Sequence, residues 1–192
     1  MNDDTGGLLL SLVILILLVA TNAFFAMSEI AIISTNSKKI ERLAESGNKK
    51  AKYLLDIISS QSGFLATIQV GVTLSGFLSS AVAADKFAGM LADALSFIPI
   101  SKGIISGVSL VVITLILSYF TLIFGELVPK RVAMKNPEKV ALSVAGSVWG
   151  FSKAMKFFVS FLAASTNGVL KLIGLGGKDD EETVTEEDIM ML

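Results

Sequence analysis

The sequence has 192 residues, 53% of them hydrophobic and 17% charged, and its mean hydropathy of +0.72 is far above what a soluble domain of this size needs. It contains no cysteine and no histidine, which excludes disulfide scaffolds, metal or haem centres held by those residues, and catalysis by them, so any metal must be held by oxygen. The formal net charge of −1 conceals a segregation of sign along the chain, and that segregation carries the topology.

The first predicted span covers residues 6–34, and from Leu8 to Met27 only Ser11, Thr21 and Asn22 are polar. At 1.5 Å per residue, about 20 apolar residues cross the hydrocarbon core, so the run suffices. A cleaved signal peptide is the competing reading, but the leader MNDDTGG is acidic and the apolar run exceeds an ordinary signal core. The segment Lys38–Asp56 then holds six of the sixteen basic residues, which predicts a cytoplasmic connector and an outside amino terminus. Its apolar positions Ile40, Leu43, Ala44, Ala51, Leu54 and Leu55 recur at roughly helical spacing and predict short amphipathic helices broken near Gly47.

A second span is expected over 62–84, rich in Gly, Ala, Ser and Thr that let helix backbones approach closely. From Asp85 to Lys102, balanced charge and Pro99 predict an outside loop. The third span, 103–126, is dominated by Val, Ile and Leu and returns to the basic cluster Lys130, Arg131, Lys135 and Lys139. Residues 1–139 thus form a three-span core. Residues 140–175 are long enough for a fourth crossing, yet Lys153, Lys156 and Lys171 interrupt them, and a charge at the bilayer centre costs about 2.5–3.5 kcal/mol. They are read as a belt of amphipathic helices against the inner leaflet. Residues 176–192 are an acidic linker in which Thr185, followed by Asp188, resembles a helix start. The expected fold class is therefore an all-α integral membrane protein, with three transmembrane helices and cytoplasmic-side juxtamembrane amphipathic helices.

The ionisable residues inside the spans carry the chemistry. Asn22, Ala26 and Glu29 share one helix face (i, i+4, i+7), whereas Ser28 turns away from Ala26. Glu29 either marks the membrane interface, paired with a lysine, or lines an ion path, the usual place for an intramembrane carboxylate. Glu126 stands in IFGELVPKR. Gly125 permits close approach there, and Pro129, a structural helix break, leaves the Gly125 carbonyl without its helical donor. That string also reads as an ordinary helix exit. In the second span Gln69, Gly71, Thr73, Ser75, Gly76 and Ser79 supply either neutral oxygens or packing contacts. Such a donor set suits a small hard cation, Mg²⁺ with octahedral oxygen ligation at about 2.0–2.1 Å, or Na⁺.

The strings TNAFFAMSEIAI, QVGVTLSG and FGELVPKRVAMKNPE closely resemble the transmembrane domain of the CorC and cyclin M (CNNM) magnesium transporters, with FGE-x-x-PK the most specific part. This resemblance implies a dimer with three crossings per subunit, a plasma-membrane location and sodium-coupled Mg²⁺ efflux. It also implies that the acidic tail leads into cytoplasmic CBS domains that bind ATP, so that the sequence is part of a longer protein. On the family pattern the metal site comprises Asn22, Ala26, Ser28 and Glu29, then Gly71, Thr73, Ser75 and Gly76, then Gly125 and Glu126. Family members often carry Ser where this chain has Asn22 and Ala26, and an Asn near Val72 or Gly76; Ala26 and Gly76 offer only backbone carbonyls. The expected mechanism is alternating access, with Mg²⁺ the transported ion, Na⁺ the coupling ion and membrane lipid the surroundings. A membrane-anchored magnesium sensor or scaffold is the alternative. An enzyme is not expected, since the carboxylates lack a His, Cys or nucleophile beside them, and no nucleic-acid partner is expected.

Overall fold

A chain this apolar must satisfy its backbone hydrogen bonds internally, and among the described residues every regular element is a helix. The computed structural model describes residues 2–173, so the acidic linker and the helix start expected at Thr185 lie outside the described residues. Helix α1 spans Asn2–Ile33, α2 Ser37–Glu45, α3 Lys49–Ile58, α4 Gln61–Ala83, α5 Gly89–Ala94, α6 Lys102–Leu122, α7 Val128–Lys135, α8 Pro137–Ala154 and α9 Lys156–Leu172. Two π-helical turns, Ala84–Ala88 and Ile123–Leu127, join α4 to α5 and α6 to α7 without a break. Among the described residues three stretches are long and apolar enough to cross a membrane: Gly6–Ile33, Gly63–Ala94 and Lys102–Lys135. The chain is therefore a multi-pass, all-α membrane protein.

Two boundaries differ from the sequence expectation. The outside loop predicted from Asp85 begins about ten residues later, because the second helix runs through Asp85 and Lys86 as a π turn and ends at Ala94. The third helix likewise passes Gly125 and Pro129 and continues to Lys135. A proline ring inside a helix presses on the carbonyl four residues back. Here the backbone ahead of Pro129 widens, and Val128 N–H reaches the carbonyl of Ile123 five residues earlier.

The connector between the first two spans follows its local code. Asn36 caps α2 by accepting from Lys39 N–H at 3.2 Å, and Asn48 caps α3 by accepting from Lys50 N–H at 3.0 Å. Between them Gly47 takes φ +94°, the left-handed conformation that ends α2, and its N–H donates to Ala44. The apolar faces of α2 and α3 bury Ile40, Ala44, Leu54 and Ile57 in one core with Phe25 and Ile32 of α1, Phe64 and Ile68 of α4, and Ala141, Val144, Ala145 and Val148 of α8. Phe25 meets Phe151 at 4.8 Å between ring centroids. At the rim, Trp149 stacks on Tyr53 at 4.7 Å, its indole N–H donates to Asp56 at 2.6 Å, and Lys153 reaches the same carboxylate at 3.2 Å. Lys39 pairs with Glu138 and ties α2 to α8.

In contrast, α6 buries only Ile105 and Ser109. Leu115, Tyr119, Phe120 and Val111 are all more than half or about half exposed, as befits a helix whose solvent is lipid. The chain divides into two compact units, Met1–Lys153 and Ala154–Leu192. In the second, α9 exposes Phe157 and Phe161 between Lys156 and Lys171, and Leu172 just beyond.

Candidate functional site

The polar positions of α1 converge on the π turn of the third helix. Pro129 has no N–H to offer the carbonyl of Gly125, and the Asn22 side chain supplies the donor instead, with Nδ2 donating to Gly125 O at 3.0 Å. Asn22 is 4% exposed, and Gly125 is buried beneath it. A Cβ on residue 125 would stand 3.0 Å from Nδ2, so glycine is what allows the amide to seat. The oxygen expected to be free is thus engaged, while the amide oxygen Oδ1 remains the donor that Asn22 can offer a cation.

One helical turn beyond, two carboxylates from different spans meet around a single cationic group. Lys130 Nζ lies 2.8 Å from Glu126 Oε1 and 3.3 Å from Glu29 Oε2. All three side chains are partly exposed, at 27%, 28% and 37% for Lys130, Glu29 and Glu126. Two acids and one base leave the cluster with one net negative charge. Glu29 thus pairs with a lysine, and that lysine belongs to the other acidic span. Ala26 is fully buried on the same face of α1 as Asn22 and Glu29. Ser28 is also fully buried, but its hydroxyl turns back to Phe24 O at 2.6 Å.

The second-span string splits between two surroundings. Gly71 faces α1 so closely that a Cβ there would stand 2.5 Å from the Phe25 ring. Ser75 and Ser79 are buried on the same helix face and donate to Gly71 O and Ser75 O, both at 2.8 Å. Those bonds use the hydroxyl protons and leave oxygen lone pairs available. Thr73 and Gly76 face a different space, a cavity of about 460 Å³ between α4 and α6 that Glu126, Ser79, Ser118 and Thr121 also line. Thr121 Oγ1 is buried there without a hydrogen-bond partner. Of the expected residues, then, Asn22, Glu29, Gly125 and Glu126 gather at the π turn, Gly71 and Ser75 serve the contact between α1 and α4, and Thr73 and Gly76 open on the cavity.

Lys130 and Thr121 were not singled out as site residues from the sequence. Lys130 stands four residues after Glu126, the helical spacing at which opposite charges meet, and that was the available signal. The donor set is all oxygen, and no group of three or more acidic side chains gathers among the described residues. Two carboxylates, an amide oxygen and hydroxyls suit a hard cation accompanied by water or carbonyl ligands.

The family model described as the cyclin M transmembrane N-terminal domain matches residues 12–192. The UPF0053 protein sll0260 of Synechocystis sp. is 36% identical over 183 residues, covering 95% of this chain and 41% of that protein. The UPF0053 protein YugS of Bacillus subtilis is 27% identical over 186 residues, 96% of this chain and 43% of its own. A polyamine export protein of Haemophilus influenzae is 27% identical over 176 residues, 91% of this chain and 40% of its own. The chain therefore spans less than half the length of these relatives.

Proposed function

We propose that this chain, which belongs to the cyclin M transmembrane N-terminal domain family, is the membrane-crossing part of a cation exporter that moves Mg²⁺ by alternating access, driven by sodium entry. The observation that carries the reading is the meeting of Glu29 and Glu126, from two different spans, around one position that a positive charge occupies. Intramembrane carboxylates mark ion paths, and a pair drawn from separate helices opens and closes as those helices shift. Asn22 couples the same two spans through Gly125 by its amide nitrogen, which leaves its amide oxygen for the ion. The basic connectors Lys38–Lys52 and Lys130–Lys139 favour the cytoplasmic side, with the amino terminus outside and a homodimer in the plasma membrane. Cytoplasmic CBS domains that bind ATP complete the proposed whole.

Mg²⁺ efflux from loaded liposomes, measured with and without an inward sodium gradient, tests the proposal. Glu126→Ala and Asn22→Ala are expected to abolish or sharply reduce the flux, and normal flux in both sinks the site. Binding without sodium-dependent flux identifies a sensor or scaffold instead.

One observation favours a second cargo. The cavity of about 460 Å³ beside Glu126 exceeds what a single ion needs, and Phe77, Leu117 and Leu122 give it an apolar wall. An alkyl diammonium cation would place one ammonium on Glu126, as Lys130 does, and its methylenes on that wall. The polyamine export relative makes this a reading to test: putrescine efflux from the same liposomes that outpaces Mg²⁺ efflux decides for it.

A further inference from the structure

We infer that Lys130 is a tethered counter-cation, occupying the carboxylate pair whenever the transported ion is absent and swinging out when the ion arrives. This rests on the assignment of Glu29 and Glu126 to the ion path. The geometry is that of a filled site: the ammonium contacts Glu126 Oε1 at 2.8 Å and Glu29 Oε2 at 3.3 Å, bridging α1 and the third helix. An ammonium makes such contacts at the same oxygens a hard cation would use, and the two cannot share them, since like charges at that separation repel strongly in a medium of low dielectric.

Charge bookkeeping gives the arrangement a purpose. With Lys130 in place, the cluster carries one net negative charge. With a divalent ion in its place and the lysine withdrawn, two carboxylates and the ion are neutral. Without either cation, two like charges face one another at the edge of the bilayer, a state that burial disfavours. Lys130 thus spares the ion-free protein that state between the release of one ion and the arrival of the next. Its position favours the movement, because Pro129 and the π turn Ile123–Leu127 immediately precede it and leave the backbone there without the full helical ladder. The side chain is 27% exposed, and so has an outlet.

The same lysine then sets affinity as well as turnover. Displacing it reduces the apparent affinity by the fraction of carriers in which the site is vacant, so its removal is expected to tighten binding about tenfold if one carrier in ten is vacant. Transport should fall even as binding tightens, a split that a ligand residue or a merely structural residue would not produce.

Two measurements on the intact purified protein test this. In the first, Mn²⁺ binding and Mg²⁺ efflux are compared for wild type, Lys130→Gln and Lys130→Arg. Lys130→Gln should bind about tenfold more tightly and turn over more slowly, with Lys130→Arg, which keeps the charge, close to wild type in affinity. In the second, which needs no variant, the wild type is treated with acetic anhydride, and acetylation of Lys130 is followed by mass spectrometry against exposed Lys49. Mg²⁺ should raise acetylation at Lys130 severalfold and leave Lys49 unchanged. Unchanged or reduced acetylation, or weaker Mn²⁺ binding by a folded Lys130→Gln, overturns the inference. If wild type neither binds nor moves Mg²⁺ or Mn²⁺, the failure lies in the proposed function.

Discussion

The two π-helical turns share a local distortion and differ in everything around it. Ala84–Ala88 carries Asp85 and Lys86, whose side chains are 75% and 54% exposed and 3.7 Å apart. Ile123–Leu127 carries Glu126 and packs against α1, which brings Asn22 to Gly125 and, through Lys130, Glu29 to Glu126. A π turn frees backbone and re-aims side chains, and is often found at functional sites for that reason. Here only the second distortion meets a neighbouring span that supplies a second carboxylate and a side-chain donor. The acid of the first turn pairs with its exposed neighbour Lys86; that of the second shares Lys130 with another span.

The sharpest way to break this comparison is to neutralise one acid at each turn. Glu126→Gln removes the nearer carboxylate from Lys130 and one of the two charges offered to a cation, and is expected to lower cation flux by roughly 100-fold, corresponding to about 3 kcal/mol of lost charge pairing. Asp85→Asn should change flux by less than about twofold, because exposed pairs contribute about 0–1 kcal/mol. Equal losses in liposome assays would mean that the turns act alike.

A smaller effect separates the glycines of the second span. Gly71→Ala places a methyl 2.5 Å from the Phe25 ring, and overpacking of this kind costs about 1–3 kcal/mol, lowering the melting temperature in detergent by roughly 3–10 °C. Gly76→Ala meets nothing within 4 Å and gains helix propensity, so its melting temperature should hold or rise slightly, by up to about 1 kcal/mol in stability. Reversal of that order would show that α4 presents its other face to α1.

The smallest effect concerns the rim. The Trp149 indole, and then Lys153, hold the Asp56 carboxyl below its ordinary value of 3.8. A lowered folded value means that the contribution to stability is complete above about pH 3.8 and fades as pH falls through the folded value. Trp149, the sole tryptophan, should change its fluorescence in that acid range and not between pH 5 and 8, and Asp56→Asn should remove the transition.

Much of the fold was legible. Three apolar runs declared three membrane helices, and the helical spacing of the apolar positions with Gly47 placed the short connector helices. The helix ends were not legible where a π turn intervened, because Asp85, Gly125 and Pro129 are ordinary stop signals and only tertiary packing decides that the helix widens instead of ending. Within the candidate site, Glu29 and Glu126 stood out through the expense of charge in lipid, Asn22 through the helix face it shares with Glu29, and Gly125 through Pro129 four residues on. The division of the second-span string did not, since Gly71 and Gly76 are the same residue with opposite surroundings, one against an aromatic ring and one on open space. Lys130 looked like an interfacial anchor because a lysine after an apolar run usually is one.

The bridge from Glu29 to Lys130 also orders events during synthesis. The acid leaves the ribosome about a hundred residues before its base, an interval of roughly 5–20 s at 5–20 residues per second. During that interval the first span holds Asn22 and Glu29 with neither Gly125 nor Lys130 to receive them. Arrival of the third span therefore completes the first, and a nascent chain halted after α4 exposes an unpaired acid to whatever quality-control machinery surveys the membrane.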